Sequence, residues 1–180
     1  IAAMVLLLLP NEPKKQYFHH QGNIFGTYYN IRYQGTNDLH EEIQARLQAF
    51  DNSLSMFNPN SVISKINRNE HVVTDSLFEA MYMEAHRVSQ LSDGAFDITV
   101  APLVHAWGFG KKTQDPKMKE QDINIDSLKA LVGYEKIRLE NHRITKDNEH
   151  ITLDASAIAK GYACDVVADL LHQNGSDNLL

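Results

Sequence analysis

Three observations predict an α+β fold. Stretches with apolar residues at period two are interleaved with stretches at helical period. The breaks between them carry Gly, Asn and Asp. Beyond residue 20 no Gly/Ser-rich linker, repeat or low-complexity tract divides the chain. The expected architecture is a mixed sheet with helices packed on it, in one domain. At 180 residues, 43% hydrophobic and 22% charged, the chain has the material for a sizeable core.

Taken in order, GNIFGTYYNIRYQG sets Tyr29, Ile31 and Tyr33 against Asn30 and Arg32, the alternation of a half-buried strand. Asp38 and Glu41 form a capping-box pattern, and Leu39, Ile43, Leu47, Phe50 and Leu54 continue it as one apolar helical stripe. A second helix follows Thr74, turns Leu77, Met81 and Val88 inward and stops at Ser92-Asp93-Gly94, ahead of FDITV. Asp126 is expected to cap a short helix ending at Gly133. KIRLE and RIT around Asn141-His142 read as a hairpin, followed by a strand ITLD. The last helix is expected from about Ile158 to Gln173, with Ile158, Tyr162, Val166 and Leu170 on one face and Gly175 as its stop. NLL at 178–180 reads as the beginning of a strand.

Charge and cysteine usage exclude several functions. The formal net charge is −6, pI is near 5.8, and no basic run is longer than the pair Lys111-Lys112, so no nucleic-acid partner is expected. The single cysteine, Cys164, cannot form an internal disulfide or a thiolate metal site, and is expected to pack as a small apolar residue. The nine histidines lack the paired helical spacing of a zinc enzyme, and neither a P-loop nor a dinucleotide fingerprint is present. IAAMVLLLLP is too short an apolar run to span a bilayer. Residues 1–20 are read as the remnant of an export signal or anchor plus a polar linker, and residues 21–180 as the domain. The competing reading of the apolar run is a buried strand.

Four stretches remain to be explained together: FGTYYNIRY (25–33), SMFNPNSVISKIN (55–67), GAFDITVAPLVHAWGFG (94–110) and LDASAIAKGYACD (153–165). In this order and at these intervals they resemble the ApbE family, over residues 25–175. The resemblance implies an ApbE-like, T-fold-related mixed sheet with packed helices. It also implies an exported, Mg2+-dependent FAD:protein FMN transferase, which cleaves the pyrophosphate of FAD and attaches FMN to a Ser or Thr hydroxyl of an exported flavoprotein acceptor. The implied location is periplasmic or on the outer face of the cytoplasmic membrane, and a membrane tether at the N-terminus and a homo-oligomer are both compatible with it.

Residue by residue, the resemblance assigns FAD contacts to Phe25, Phe57, Ala95, Phe96, Asp97, Asp154 and Lys160, and a Mg2+ contact to the backbone carbonyl of Ala157. The residues themselves allow this. Ala155, Ser156, Ala157 and Ala159 keep a helix start bare, so that a pyrophosphate could meet backbone N–H groups with Lys160 supplying charge. Each assignment has a plainer counterpart. DASAIAK is also a well-made helix start with a solvated lysine, and Asp97 could simply bond the turn that follows Gly94. Thr27 reads equally well as a strand residue, Trp107 and Phe109 could wall a flavin pocket but read first as core, and Ser61 and Asn67 are expected to organise the loop between them.

Phe25 stands where many family members carry Met, and Phe57 where many carry Tyr; both can pack on a planar ring, but Phe57 lacks the hydroxyl. Family members also continue for well over a hundred residues, into segments that supply further Mg2+ ligands and a proposed catalytic histidine. The chain is therefore expected to be the N-terminal portion, its catalytic residue is unknown, and the other metal ligands are expected beyond residue 180. Two readings compete with the transferase: an FAD pyrophosphatase, in which water replaces the acceptor hydroxyl, and a flavin-binding module without turnover.

Overall fold

The computed structural model describes residues 14–109 and 124–180. The chain runs β1 (Gln16–Ile24), β2 (Thr27–Gly35), α1 (His40–Leu54), α2 (Val62–Asn67), α3 (Ser76–Leu91), α4 (Ala101–Ala106), α5 (Ile125–Lys129), β3 (Ile137–Glu140), β4 (Arg143–Lys146) and α6 (Ser156–Gln173). The class is α+β, as expected. Among the described residues the sheet content is two antiparallel hairpins, β1–β2 and β3–β4, rather than one mixed sheet. The apolar run at 1–9 lies outside the described residues. No helix among the described residues is long and apolar enough to cross a membrane.

The stretch expected as a single strand is a hairpin. β1 pairs with β2 from Gln16↔Gly35 to Ile24↔Thr27, so Phe25-Gly26 is a two-residue turn. Both turn residues have positive φ, 54° and 70°, the pattern of the primed turns that match strand twist. Phenylalanine at the first position is held against its preference, at a cost on the order of 1 kcal/mol, and its ring packs on Phe50 at 5.3 Å. β1 also crosses the boundary expected between residues 20 and 21, so residues 16–20 are sheet and not linker. His20 packs on Tyr33 and brings its Nδ1 within 3.1 Å of His40 Nδ1. The expected start of a strand at NLL is seated on β2: Leu179 bridges Tyr33, and Leu180 exchanges two backbone bonds of 2.7 Å with Arg32.

Helix starts differ by small steps from the pattern. The capping box does not form: α1 begins at His40, and Asp38 accepts the His40 N–H instead. Asp75 caps α3 by accepting from Phe78, and Asn124, not Asp126, caps α5. In α3 the buried face is Phe78, Met81, Tyr82, Ala85 and Ser89, so Met81 is placed as expected while Leu77 and Val88 sit at the margin. In α6 the fully buried positions are Ala163, Val167 and Leu171, one step round from the expected stripe, because the helix packs into two clusters at once. One cluster lies between α1, α3, α6 and the β3–β4 hairpin and includes Phe50, Phe78, Met81 and Leu153. The other lies under β1–β2 and joins Tyr33, Ile43, Leu47, Val167 and Leu171. Burial pushes the phenols of Tyr33, Tyr82 and Tyr162 up.

The expected strand ITLD is extended but pairs with no strand. Its backbone is held by side chains and by two carbonyls outside any strand, those of Asn148, which accepts the Ile151 N–H at 3.1 Å, and Ile98. Lys146 Nζ donates to the Ile151 carbonyl at 2.9 Å and to the Ile66 carbonyl at 3.0 Å. Asn67 takes both backbone groups of Leu153, and the Asp154 N–H donates to the Ile98 carbonyl at 2.7 Å. The apolar residues of this segment still face inward, Ile151 and Leu153 both at 0% exposure. The sequence pattern therefore predicted the burial correctly and the pairing wrongly.

Candidate functional site

The first turn of α6 is where the four sequence stretches meet. On one side, Phe25 and Phe57 face Ser156, Ala159 and Lys160 across a narrow cleft of about 30 Å³. Phe57 is 56% exposed, and a Cβ placed on Gly26 would stand 3.2 Å from its ring. Glycine at the hairpin tip thus serves both the positive φ and the close approach of the aromatic ring. On the other side, Phe96 and Ala157 line a groove of about 470 Å³ between α3 and α6, with Ile158, Gly161 and Tyr162. That volume is within the range of small-molecule sites. Ala157 and Gly161 lie one helical turn apart, and a Cβ on Gly161 would meet nothing within 4 Å.

Lys160 also borders a larger apolar groove of about 490 Å³, lined by Phe25, Tyr29, Ala163, Val167 and Leu171 among others. Its side chain is exposed, so a cation stands at the junction of an aromatic cleft and an apolar groove. Such an arrangement can hold a molecule with a planar ring at one end and an anionic group at the other. Cys164 lines the same groove and is exposed. It is not the packed small residue expected, because helical spacing places it just past Leu171, at the outer edge of the buried arc of α6.

Asp97 and Asp154 are joined through one backbone bond, from Asp154 N–H to the carbonyl of Ile98. Each carboxylate has local work. Asp97 Oδ1 accepts from both the N–H and the hydroxyl of Thr99, at 2.8 and 2.7 Å. The turn it bonds therefore comes after it, not at Gly94. Thr99 Oγ1 in turn accepts from the Gly133 N–H at 2.8 Å, and Thr99 is fully buried. Asp154 Oδ1 accepts the Ser156 N–H at 2.7 Å, an Asx-type turn just ahead of α6, whose N-cap is Ala155. Ala95 is exposed, and the Phe96 N–H donates to Ser92 Oγ at 3.0 Å.

These bonds narrow the expected anion site. α6 begins at Ser156, two residues earlier than the pattern predicted. The Ser156 amide is taken by Asp154, and the Ile158 and Ala159 amides are taken by the Ala155 carbonyl. Among the described residues this leaves the Ala157 N–H as the first-turn amide without a protein acceptor. An anion there would also meet the Asp154 carboxylate, so Lys160 or a cation must offset it.

Mg2+ is a hard cation that calls for carboxylate and other oxygen ligands. The described residues gather no group of three or more His, Cys, Asp or Glu side chains suited to a metal ion. Ala157 offers a carbonyl in the first turn of α6 and no charge. The residues present do not by themselves build a magnesium site.

Two residues of the site were not singled out by sequence reasoning in their actual roles. Thr99 drew no role within FDITV, although its place two residues after Asp97 is the spacing of a side-chain turn. Asn67 was expected to bond its own loop, but it reaches Leu153, 86 residues away. Ser61 does act locally, capping α2 and donating to the Ser55 carbonyl. Trp107 and Phe109, expected in the core, are 73% and 69% exposed.

Comparison with known proteins bears directly on this arrangement. Residues 25–180 match the family model described as the ApbE family. The FAD:protein FMN transferase of Vibrio cholerae is 32% identical over 99% of this chain and 56% of its own length. The protein of that name from Escherichia coli is 31% identical over 89% of this chain and 49% of its own. Among solved structures, the flavin transferase ApbE of Vibrio cholerae superposes with a TM-score of 0.82, at 32% identity, covering 92% of this chain and 56% of that one. The apo flavinyl transferase ApbE of Pseudomonas stutzeri gives 0.79 at 28% identity, covering 93% and 58%. The chain spans about half the length of the curated relatives it matches. The family-model match over residues 25–180, with relatives 31–32% identical over most of this chain, shows that the chain belongs to the ApbE family.

Proposed function

We propose that this chain carries the flavin-nucleotide half of an FAD:protein FMN transferase. The observation that carries the reading is the meeting of Phe25, Phe57, Phe96, Asp97, Asp154 and Lys160 around the first turn of α6, with Ala157 and Gly161 leaving the groove beside it bare. Relatives that match most of this chain bear that activity as their name.

In this reading one planar ring of FAD stacks on the exposed face of Phe57 and the groove beside α6 takes the other, and Ala95 and Phe96 shape the wall at the turn before Asp97. The pyrophosphate lies at the start of α6, within reach of the Ala157 N–H and the Lys160 ammonium. Asp97 and Asp154 set the backbone around it and accept from cofactor N–H or O–H groups. An acceptor Ser or Thr oxygen attacks the FMN-side phosphorus. A new P–O bond forms, the bond to the AMP oxygen breaks, and the hydroxyl proton is released. Mg2+ dependence belongs to the same proposal: a hard cation would neutralise charge on the phosphoryl group, and this chain offers it the Ala157 carbonyl. An exported flavoprotein acceptor and a periplasmic or membrane-tethered location extend the proposal, supported by the apolar run at residues 1–9.

The test is the intact mass of a flavoprotein acceptor domain after incubation with this chain, FAD and Mg2+, beside an EDTA control. An FMN adduct is the expected result, and its loss with EDTA would assign the cation to ligands other than the side chains described above. Free FMN and AMP without an adduct would replace transferase by pyrophosphatase, and bound FAD with neither product would reduce the chain to a flavin-binding module.

A further inference from the structure

We infer that Asn67 is a positioning residue of the flavin-nucleotide site, its side-chain amide fixing Leu153 by both backbone groups and thereby setting where Asp154 and the first turn of α6 stand. The inference rests on the flavin reading above. Asn67 Nδ2 donates to the Leu153 carbonyl at 2.9 Å, and Asn67 Oδ1 accepts the Leu153 N–H at 2.7 Å. A planar primary amide presents a donor and an acceptor side by side, as a peptide group of a neighbouring strand does. It therefore substitutes for the strand partner that the extended 151–154 segment lacks.

The consequence is geometric. Leu153 is 0% exposed and Ala155 is 1% exposed, so both ends of the peptide run through Asp154 are anchored in the core. Between them Asp154 gives its N–H to Ile98 and its carboxylate to the Ser156 amide. Asn67 grips this run from α2 and the Ile98 carbonyl grips it from the Asp97 segment. Loosening the Asn67 side lets Leu153 rotate, which moves the Asp154 carboxylate off the helix start and shifts the Ala157 amide. A side chain 86 positions away in sequence thus controls the site without touching a ligand.

The test uses Asn67→Asp, which keeps the acceptor for the Leu153 N–H and turns an oxygen toward the Leu153 carbonyl. Tyr33→Phe serves as the reference. It removes the hydroxyl that accepts the Leu39 N–H, in the other core cluster. Amide hydrogen exchange and flavin-fluorescence titration are read on both, at a temperature where each is fully folded. Asn67→Asp is expected to speed exchange at residues 153–158 while α1 stays protected, and to weaken FAD binding about tenfold, the size of one lost hydrogen bond. Tyr33→Phe leaves FAD affinity unchanged. As pH falls and the introduced carboxyl protonates, it becomes a donor to the Leu153 carbonyl, and its affinity deficit relative to the unsubstituted chain shrinks.

Unchanged exchange at 153–158 overturns the clamp. Faster exchange with unchanged FAD affinity makes Asn67 structural and overturns the positioning role. If the unsubstituted chain binds no FAD, the flavin reading fails and the role with it, while the exchange data still report the clamp separately. Should Asn67→Asp not fold, Asn67→Gln, with both groups on a longer arm, is expected to give the same local exchange signature in smaller measure, and no such signature overturns the inference.

Discussion

Thr99→Val removes one oxygen from the centre of the site and leaves its shape almost unchanged, so its effect is chemical. In the native protein the Thr99 hydroxyl donates to Asp97 at 2.7 Å and accepts the buried Gly133 N–H at 2.8 Å. Valine strands that N–H, at roughly 1–3 kcal/mol, and deletes a bond to a carboxylate, at roughly 1.5–3 kcal/mol. Because Asp97 is only partly buried, its share is expected at the lower end, and the total is on the order of 3 kcal/mol. A domain of this size loses about 2–4 °C per kcal/mol, so the melting temperature is expected to fall by about 6–12 °C. The urea midpoint should fall with an unchanged m-value, since the unfolded surface is the same. Thr99→Ser keeps both bonds and loses one buried methyl, about 1 kcal/mol. A valine variant within about 0.5 kcal/mol of the parent would refute the relay, because that is the scatter of neutral substitutions. So would a serine variant as damaged as the valine one.

Other consequences can be measured independently. Lys160→Ala should leave the melting temperature unchanged, since the side chain is exposed, and weaken FAD binding roughly 10–100-fold, the worth of a charge-assisted bond to phosphate. Cys164 is exposed, so one thiol should react with Ellman's reagent in the native protein as readily as after denaturation; a protected thiol would contradict the placement of α6. Hydrogen bonds from the Thr74 hydroxyl and then from His142 hold the Glu79 carboxyl below the usual carboxylate range. Its folded pKa lies below its unfolded one, so its stabilisation is present above the ordinary glutamate value of about 4.3 and lost as pH falls through the folded value. Glu79→Gln should therefore flatten the acid limb of a stability-versus-pH curve below that value, and an unchanged limb would contradict the interaction.

The sequence was most readable where one local signal decided the outcome. The stripe from Leu39 to Leu54 became the buried face of α1, and Asn141-His142, both with positive φ, turned the β3–β4 hairpin as predicted. The meeting of the four stretches followed from their resemblance to a family, since no periodicity brings Phe25 to Lys160. What could not be read was non-local or atypical. Phe-Gly is not a usual turn pair, so the residues of the β1–β2 hairpin carry the pattern of one strand. ITLD has the composition of a strand, but its backbone partners are the side chains of Asn67 and Lys146 and the carbonyls of Asn148 and Ile98. α6 packs against two clusters, so a single stripe described half of its buried surface. Cys164, expected to be packed, faces out because it lies past Leu171 at the edge of the buried arc.

The central claim is that the start of α6 gathers four distant stretches into one flavin-nucleotide site. The most direct measurement is an amide chemical-shift map of the chain titrated with FAD. Saturable shifts are expected at residues 25–27, 56–57, 95–98 and 154–160, with the β3–β4 hairpin silent. Shifts concentrated elsewhere, or no saturable binding, would contradict it.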